Sequence, residues 1–74
     1  MENVNMEAVE SSNIDKVGYN PTDKTLYIQF KGGSTYKYHP ITQHGYTSLR
    51  GAESVGRFFH QHIRNNSAIS TEKI

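Results

Sequence analysis

Four histidines, a serine–glycine–arginine corner and a tyrosine–lysine run are the residues of this chain whose chemistry invites a site. His60 and His62 are two apart in a helical pattern, about 200° around the axis, so they cannot face one ion. His39 and His44 sit on other segments with no acid beside them, so no metal site is expected. Cysteine is absent, which removes disulfides, thiolate ligands and the commonest soft nucleophile. There is no Gly-x-Ser-x-Gly elbow, and Asp23 and Glu53 stand on separate segments, so paired-carboxylate chemistry is absent as well. The chain is therefore expected to bind rather than catalyse, with no cofactor and no catalytic residue.

Three sets of residues suit binding. In Ser54-Val55-Gly56-Arg57 a capped helix start with a glycine would leave backbone N–H groups uncovered beside the Arg57 charge, a corner that can hold a phosphate. Helix capping alone would suffice as the reason for Ser54. If the loop at Gly32-Gly33 has three residues, Tyr27, Lys31 and Lys37 share one sheet face as an aromatic among bases, a modest platform for RNA, and Arg64 adds a further base. Bases so widely spread also suit a plain solvated surface. The third set is Val4, Met6, Glu7, Val9 and Glu10, apolar side chains among acids that fit a segment docking on a partner, or an ordinary chain terminus.

Charge divides along the chain in the same way. Residues 1–15 carry four acids and no base, whereas residues 16–74 carry eight bases against three acids, a net +5. An acidic arm on a basic body implies two surfaces with different partners, or an arm that screens the body. No basic leader followed by an apolar core opens the chain, and no run of about 18 apolar residues is present, so a cytoplasmic protein outside the membrane is expected.

The elements that must position these residues read as one small domain. Residues 1–12 are expected as a flexible acidic arm, 13–65 as the folded domain and 66–74 as a disordered tail. Ile14–Tyr19 reads as a short strand closed by the turn Asn20-Pro21-Thr22-Asp23. In Lys24–Lys31, Leu26, Ile28 and Phe30 alternate with Tyr27 and Gln29, the clearest strand pattern in the chain. Thr35–His39 forms a third strand, ended by Pro40. Ile41, Tyr46 and Leu49 suit a short helix broken at Gly51, and Val55, Phe58, Phe59, His62 and Ile63 suit a second one capped by Ser54. The expected fold is α+β, a three-stranded antiparallel meander packed by two C-terminal helices, with flexible termini.

The length of the loop at Gly32-Gly33 decides where Tyr36 and Tyr38 point. A two-residue loop sets them opposite Gln29 and Tyr27, on the solvent face. A three-residue loop, Lys31–Gly33 with Gly33 left-handed, sets them opposite Ile28 and Leu26, in the core. The core placement is expected, because two helices need a wider apolar face than one strand supplies.

Taken together, Ile14, Gly18-Tyr19, Leu26-x-Ile28-x-Phe30, Gly33, Tyr36-x-Tyr38, Tyr46-x-x-Leu49, Ser54-x-Gly56-x-x-Phe59 and Ile63-Arg64 resemble the KTSC domain. The resemblance spans roughly Ser12 to Arg64 and departs at His39-Pro40-Ile41, where a valine–proline is usual. It implies an RNA-binding module, a domain also carried by some lysyl-tRNA synthetases. The acidic arm and small size further resemble phage transcription regulators that bind bacterial RNA polymerase, inhibit initiation by displacing sigma and promote antitermination. That likeness implies a monomer that docks on polymerase through its arm, with RNA near the exit channel as a further contact; this regulator is the expected function, and a small RNA-binding KTSC module is the alternative.

Overall fold

The computed structural model describes residues 4–74; residues 1–3, including Glu2 of the acidic arm, lie outside the described residues. Five strands, β1 (Glu7–Ala8), β2 (Ile14–Asn20), β3 (Thr25–Phe30), β4 (Thr35–His39) and β5 (Ser70–Lys73), form one antiparallel sheet in sequence order. Two helices, α1 (Gln43–Arg50) and α2 (Val55–Phe59), join β4 to β5, and α2 runs on into a π-helical turn over His60–Arg64.

The fold is α+β with two helices, as expected, but the sheet has five strands rather than three. The extra pair comes from the two end segments: β1 adds to the free edge of β2, and β5 adds to the free edge of β4. Edge pairing draws on backbone N–H and C=O groups that every residue carries, so it leaves no hydrophobic period to read.

The β3–β4 loop settles the register. Phe30 and Ser34 close a three-residue loop through Phe30 N–H to Ser34 O at 2.8 Å, and Gly33 takes φ +101°, a conformation that side chains with a Cβ rarely adopt. Tyr36 therefore faces Ile28 and Tyr38 faces Leu26, so both tyrosines lie on the helix side of the sheet. Tyr38 is only 4% exposed and Tyr36 is half-buried at the margin of the core.

Inward residues of β2, β3 and β4 meet Leu49 of α1, Val55 and Phe59 of α2, and Ile63 of the π turn, with Ile14, Val17, Leu26, Ile28 and Leu49 wholly buried. Ile41 is buried too, but it precedes the first helix rather than joining it: Thr42 caps α1 by accepting from the Gly45 N–H at 3.0 Å. The segment Pro40–Ile41 follows a cis His39–Pro40 bond, and it is tied to the sheet by Ile41 N–H to Lys24 O and by the Tyr19 hydroxyl donating to Ile41 O. Tyr19 in turn stacks on Tyr46 of α1, ring centres 4.9 Å apart, which fixes α1 over the β1–β2 side.

Candidate nucleic-acid interface

Alternation along the strands places Lys16 and Gly18 of β2, Tyr27 and Gln29 of β3, and Thr35 and Lys37 of β4 on the face away from the helices. Tyr27 lies directly between Gly18 and Lys37, so the aromatic flanked by a base that the three-residue loop required is present. Lys31 sits exposed in the turn beyond it, its N–H donating to Asn13 O, and adds charge at one end of this face. A feature not legible in the sequence is β5, which sets Glu72 opposite Lys37, with Nζ and Oε1 3.2 Å apart. Both side chains are exposed, 42% and 70%, so this pair is a weak, solvent-screened clasp that an anion can open.

The expected docking arm is folded onto its own domain. A Cβ on Gly18 would come within 2.6 Å of Met6 Sδ and 2.7 Å of Val4 Cγ1, so residues 4–6 cross the outer face directly over Gly18. Val9 is half-buried against the core, and Glu7 reaches Arg50 of α1 at 2.8 Å, where the guanidinium also donates to the Tyr46 hydroxyl. Glu10 is exposed at the rim of a hollow that it shares with Val9, Arg50 and Val55.

The serine corner is also filled. Ser54 caps α2 by accepting from the Arg57 N–H at 3.3 Å, which is the capping reading. The uncovered helix start expected at Gly56 is corrected by the structure: a Cβ there would lie 3.0 Å from Ser11 Oγ and 3.1 Å from Asn13 Oδ1. Gly56 thus serves the close approach of the 11–13 turn, in which Ser11 Oγ also accepts from the Ile14 N–H. Arg57 points to solvent.

Arg64 falls elsewhere, at a cleft of about 450 Å³ that sequence reasoning missed. Phe30, Tyr36, Tyr38 and Phe59 wall it, and Asn13, Arg64 and Thr71 add its polar groups. The rings are locked edge-to-face: Phe30 to Tyr36 at 5.7 Å, Phe30 to Phe59 at 5.8 Å and Tyr38 to Phe59 at 5.1 Å. Burial pushes the Tyr38 phenol up to about 12, against a smaller opposing pull from the Arg64 cation and a small further push from Tyr36. The sequence signal was partial, since Tyr36, Tyr38 and Phe59 were legible as core. The π turn that aims Arg64 and the strand that delivers Thr71 were not. A second hollow of about 460 Å³ lies between the helices, lined by Ile41, Phe58, Ile63 and Ile69 with His44 and His62.

Among the described residues no group of three or more His, Asp or Glu could hold a metal ion, and no helix is long and apolar enough to cross a membrane.

With this geometry in place, similarity to known proteins is informative. A 53-residue stretch is 43% identical to a protein of Tsukamurella paurometabola, covering 72% of this chain and 79% of that one. Another, of 55 residues, is 36% identical to part of a lysine–tRNA ligase of a Nostoc species, covering 74% of this chain but 10% of the ligase. The crystal structure of a KTSC domain protein from Yersinia pestis superposes with a TM-score of 0.85 at 32% identity, over 97% of this chain and 99% of that one. The family model of the KTSC domain matches residues 10–66, and the chain belongs to the KTSC domain family.

Proposed function

We propose that this domain is a non-catalytic RNA-binding module that acts as a monomer and meets single-stranded RNA with the outer face of its sheet. The observation that carries the reading is the pair Tyr27–Lys37 on the outer face of the sheet, beside the strip over Gly18 that residues 4–6 cover, with Lys16 on the same face and Lys31 at its end. One half-exposed ring supplies a stacking surface and three lysines supply phosphate contacts, the combination by which single strands are held without sequence preference. A similar segment inside a ligase that, by its name, acts on a tRNA adds support. The cytoplasm, where RNA is found, is the compartment this reading requires.

The other reading, a phage regulator that binds bacterial RNA polymerase, displaces sigma and promotes antitermination, depends on an arm free to dock. Here Val4, Met6 and Val9 turn onto the domain and Glu7 pairs with Arg50, so RNA is the reading the geometry favours.

Fluorescence anisotropy with a labelled single-stranded octamer, followed across a salt series, tests the proposal. Affinity should fall as salt rises, and Lys16→Glu with Lys37→Glu should flatten the log–log slope by roughly 1.4, about 0.7 for each phosphate that no longer meets a lysine. Glu72→Gln frees Lys37 and should tighten binding by roughly threefold. No octamer binding at low salt, together with capture of purified RNA polymerase by the intact chain, would replace the RNA reading by the polymerase one.

A further inference from the structure

We propose that the aromatic cleft beside Arg64 binds one nucleotide, taking an unstacked base against its ring wall and the attached phosphate on the guanidinium. The chemistry of the wall points to this class of ligand. Phe30 and Tyr36 are only partly covered, so they offer ring surface to an incoming base, while Tyr38 and Phe59 behind them are 4% and 3% exposed and form a rigid back wall. At about 450 Å³ the cleft falls within the roughly 300–1,000 Å³ of small-ligand sites and is far too small for a duplex.

Polar groups are placed to read a base edge. No buried side-chain oxygen among the described residues lacks a partner, and the Tyr38 hydroxyl bonds to none of them, so that hydroxyl opens into the cleft. Asn13 brings an amide and Thr71 a hydroxyl, which together with the phenol supply both donors and acceptors. The charge at the cleft is of one sign. No acid lines it, and among the described residues no carboxylate pairs with Arg64, unlike Arg50 and Lys37, which both have acidic partners. An exposed arginine with no counter-charge beside an aromatic wall suits a phosphate carried by a planar ring system.

The cleft and the outer face meet across the β4–β5 edge: Tyr36, Tyr38 and Thr71 point to one side and Lys37 to the other. A strand whose backbone runs over Lys37 can turn one nucleotide around that edge. The inference rests on the RNA reading only for the source of the nucleotide, since a free mononucleotide carries the same chemistry.

Two-dimensional amide NMR separates the two. Adenosine and uridine monophosphates should shift the Tyr36, Tyr38, Arg64 and Thr71 amides, and the matching nucleosides should bind about tenfold more weakly. Arg64→Gln, at an exposed position that leaves folding intact, should erase that tenfold difference. The single-stranded octamer should shift the cleft and the outer-face amides of Lys16, Tyr27 and Lys37 together, and Arg64→Gln should weaken it about tenfold. Octamer shifts confined to the outer face, with affinity unchanged in Arg64→Gln, would overturn the cleft and leave the RNA reading standing. Mononucleotide shifts at the cleft without any octamer binding would support the cleft, assign it to free nucleotides and sink the RNA reading. Shifts from neither ligand would overturn both.

Discussion

Raising the pH through the tyrosine range isolates how tightly Tyr38 is packed. Its ring is buried against Leu26 and Phe59 with its hydroxyl at the cleft, and burial holds its phenol at about 12 against an ordinary value near 10. In the unfolded chain the phenol ionises first, so above pH 10 the unfolded state holds fewer protons than the folded one. Stability from this group is fully present below pH 10 and is lost as pH rises toward 12. The slope is about 1.4 kcal/mol per pH unit while only the unfolded form is ionised, giving a loss on the order of 2 kcal/mol by pH 12. For 74 residues a total stability of roughly 4–11 kcal/mol is expected, so the loss is a large fraction. Urea midpoints measured at intervals from pH 9 to about 12 should fall steeply for the parent and less steeply for Tyr38→Phe. Tyr19, also raised by burial, leaves Tyr38→Phe with a residual slope of the same sign. Arg64→Gln removes the cation that favours the phenolate, so Tyr38 should ionise at still higher pH, visible in tyrosinate absorbance. Parallel decline of parent and Tyr38→Phe would refute the buried placement of this ring.

Phe59→Ala removes the ring that Phe30 and Tyr38 both touch, and it should cost about 3–5 kcal/mol in urea unfolding. Gly33→Ala forces a Cβ into a φ of +101° in open space, so backbone strain alone should cost on the order of 1–2 kcal/mol, with no change in the mid-sheet register by NMR. Ser54→Ala deletes the bond to the Arg57 N–H and should lower stability in urea unfolding by about 1 kcal/mol without altering octamer affinity.

The sequence alone was enough for the three central strands, the two helices and the placement of Tyr36 and Tyr38. Each rests on a repeating apolar pattern or on a residue with a special backbone: Leu26-x-Ile28-x-Phe30 marks a pleat, and Gly33 permits the left-handed turn that sets the register. Once that register is known, the meeting of Tyr27 with Lys37 follows from strand alternation.

Tertiary structure decided the rest. β1 has two residues and β5 is exposed throughout, so neither carries a side-chain period; they are held by backbone pairing with open edges, which sequence does not encode locally. Their placement laid Val4 and Met6 over Gly18 and Val9 against the core, gave Arg50 and Lys37 their acids, and brought Thr71 to the cleft. Gly18 lies in a strand as its sequence indicates and Gly56 looked like an open helix start, and each is a point of close approach by a segment distant in sequence. Arg64 was one base among eight until a π turn set it beside four rings, because the direction of a side chain depends on the turn that carries it and on what packs beneath.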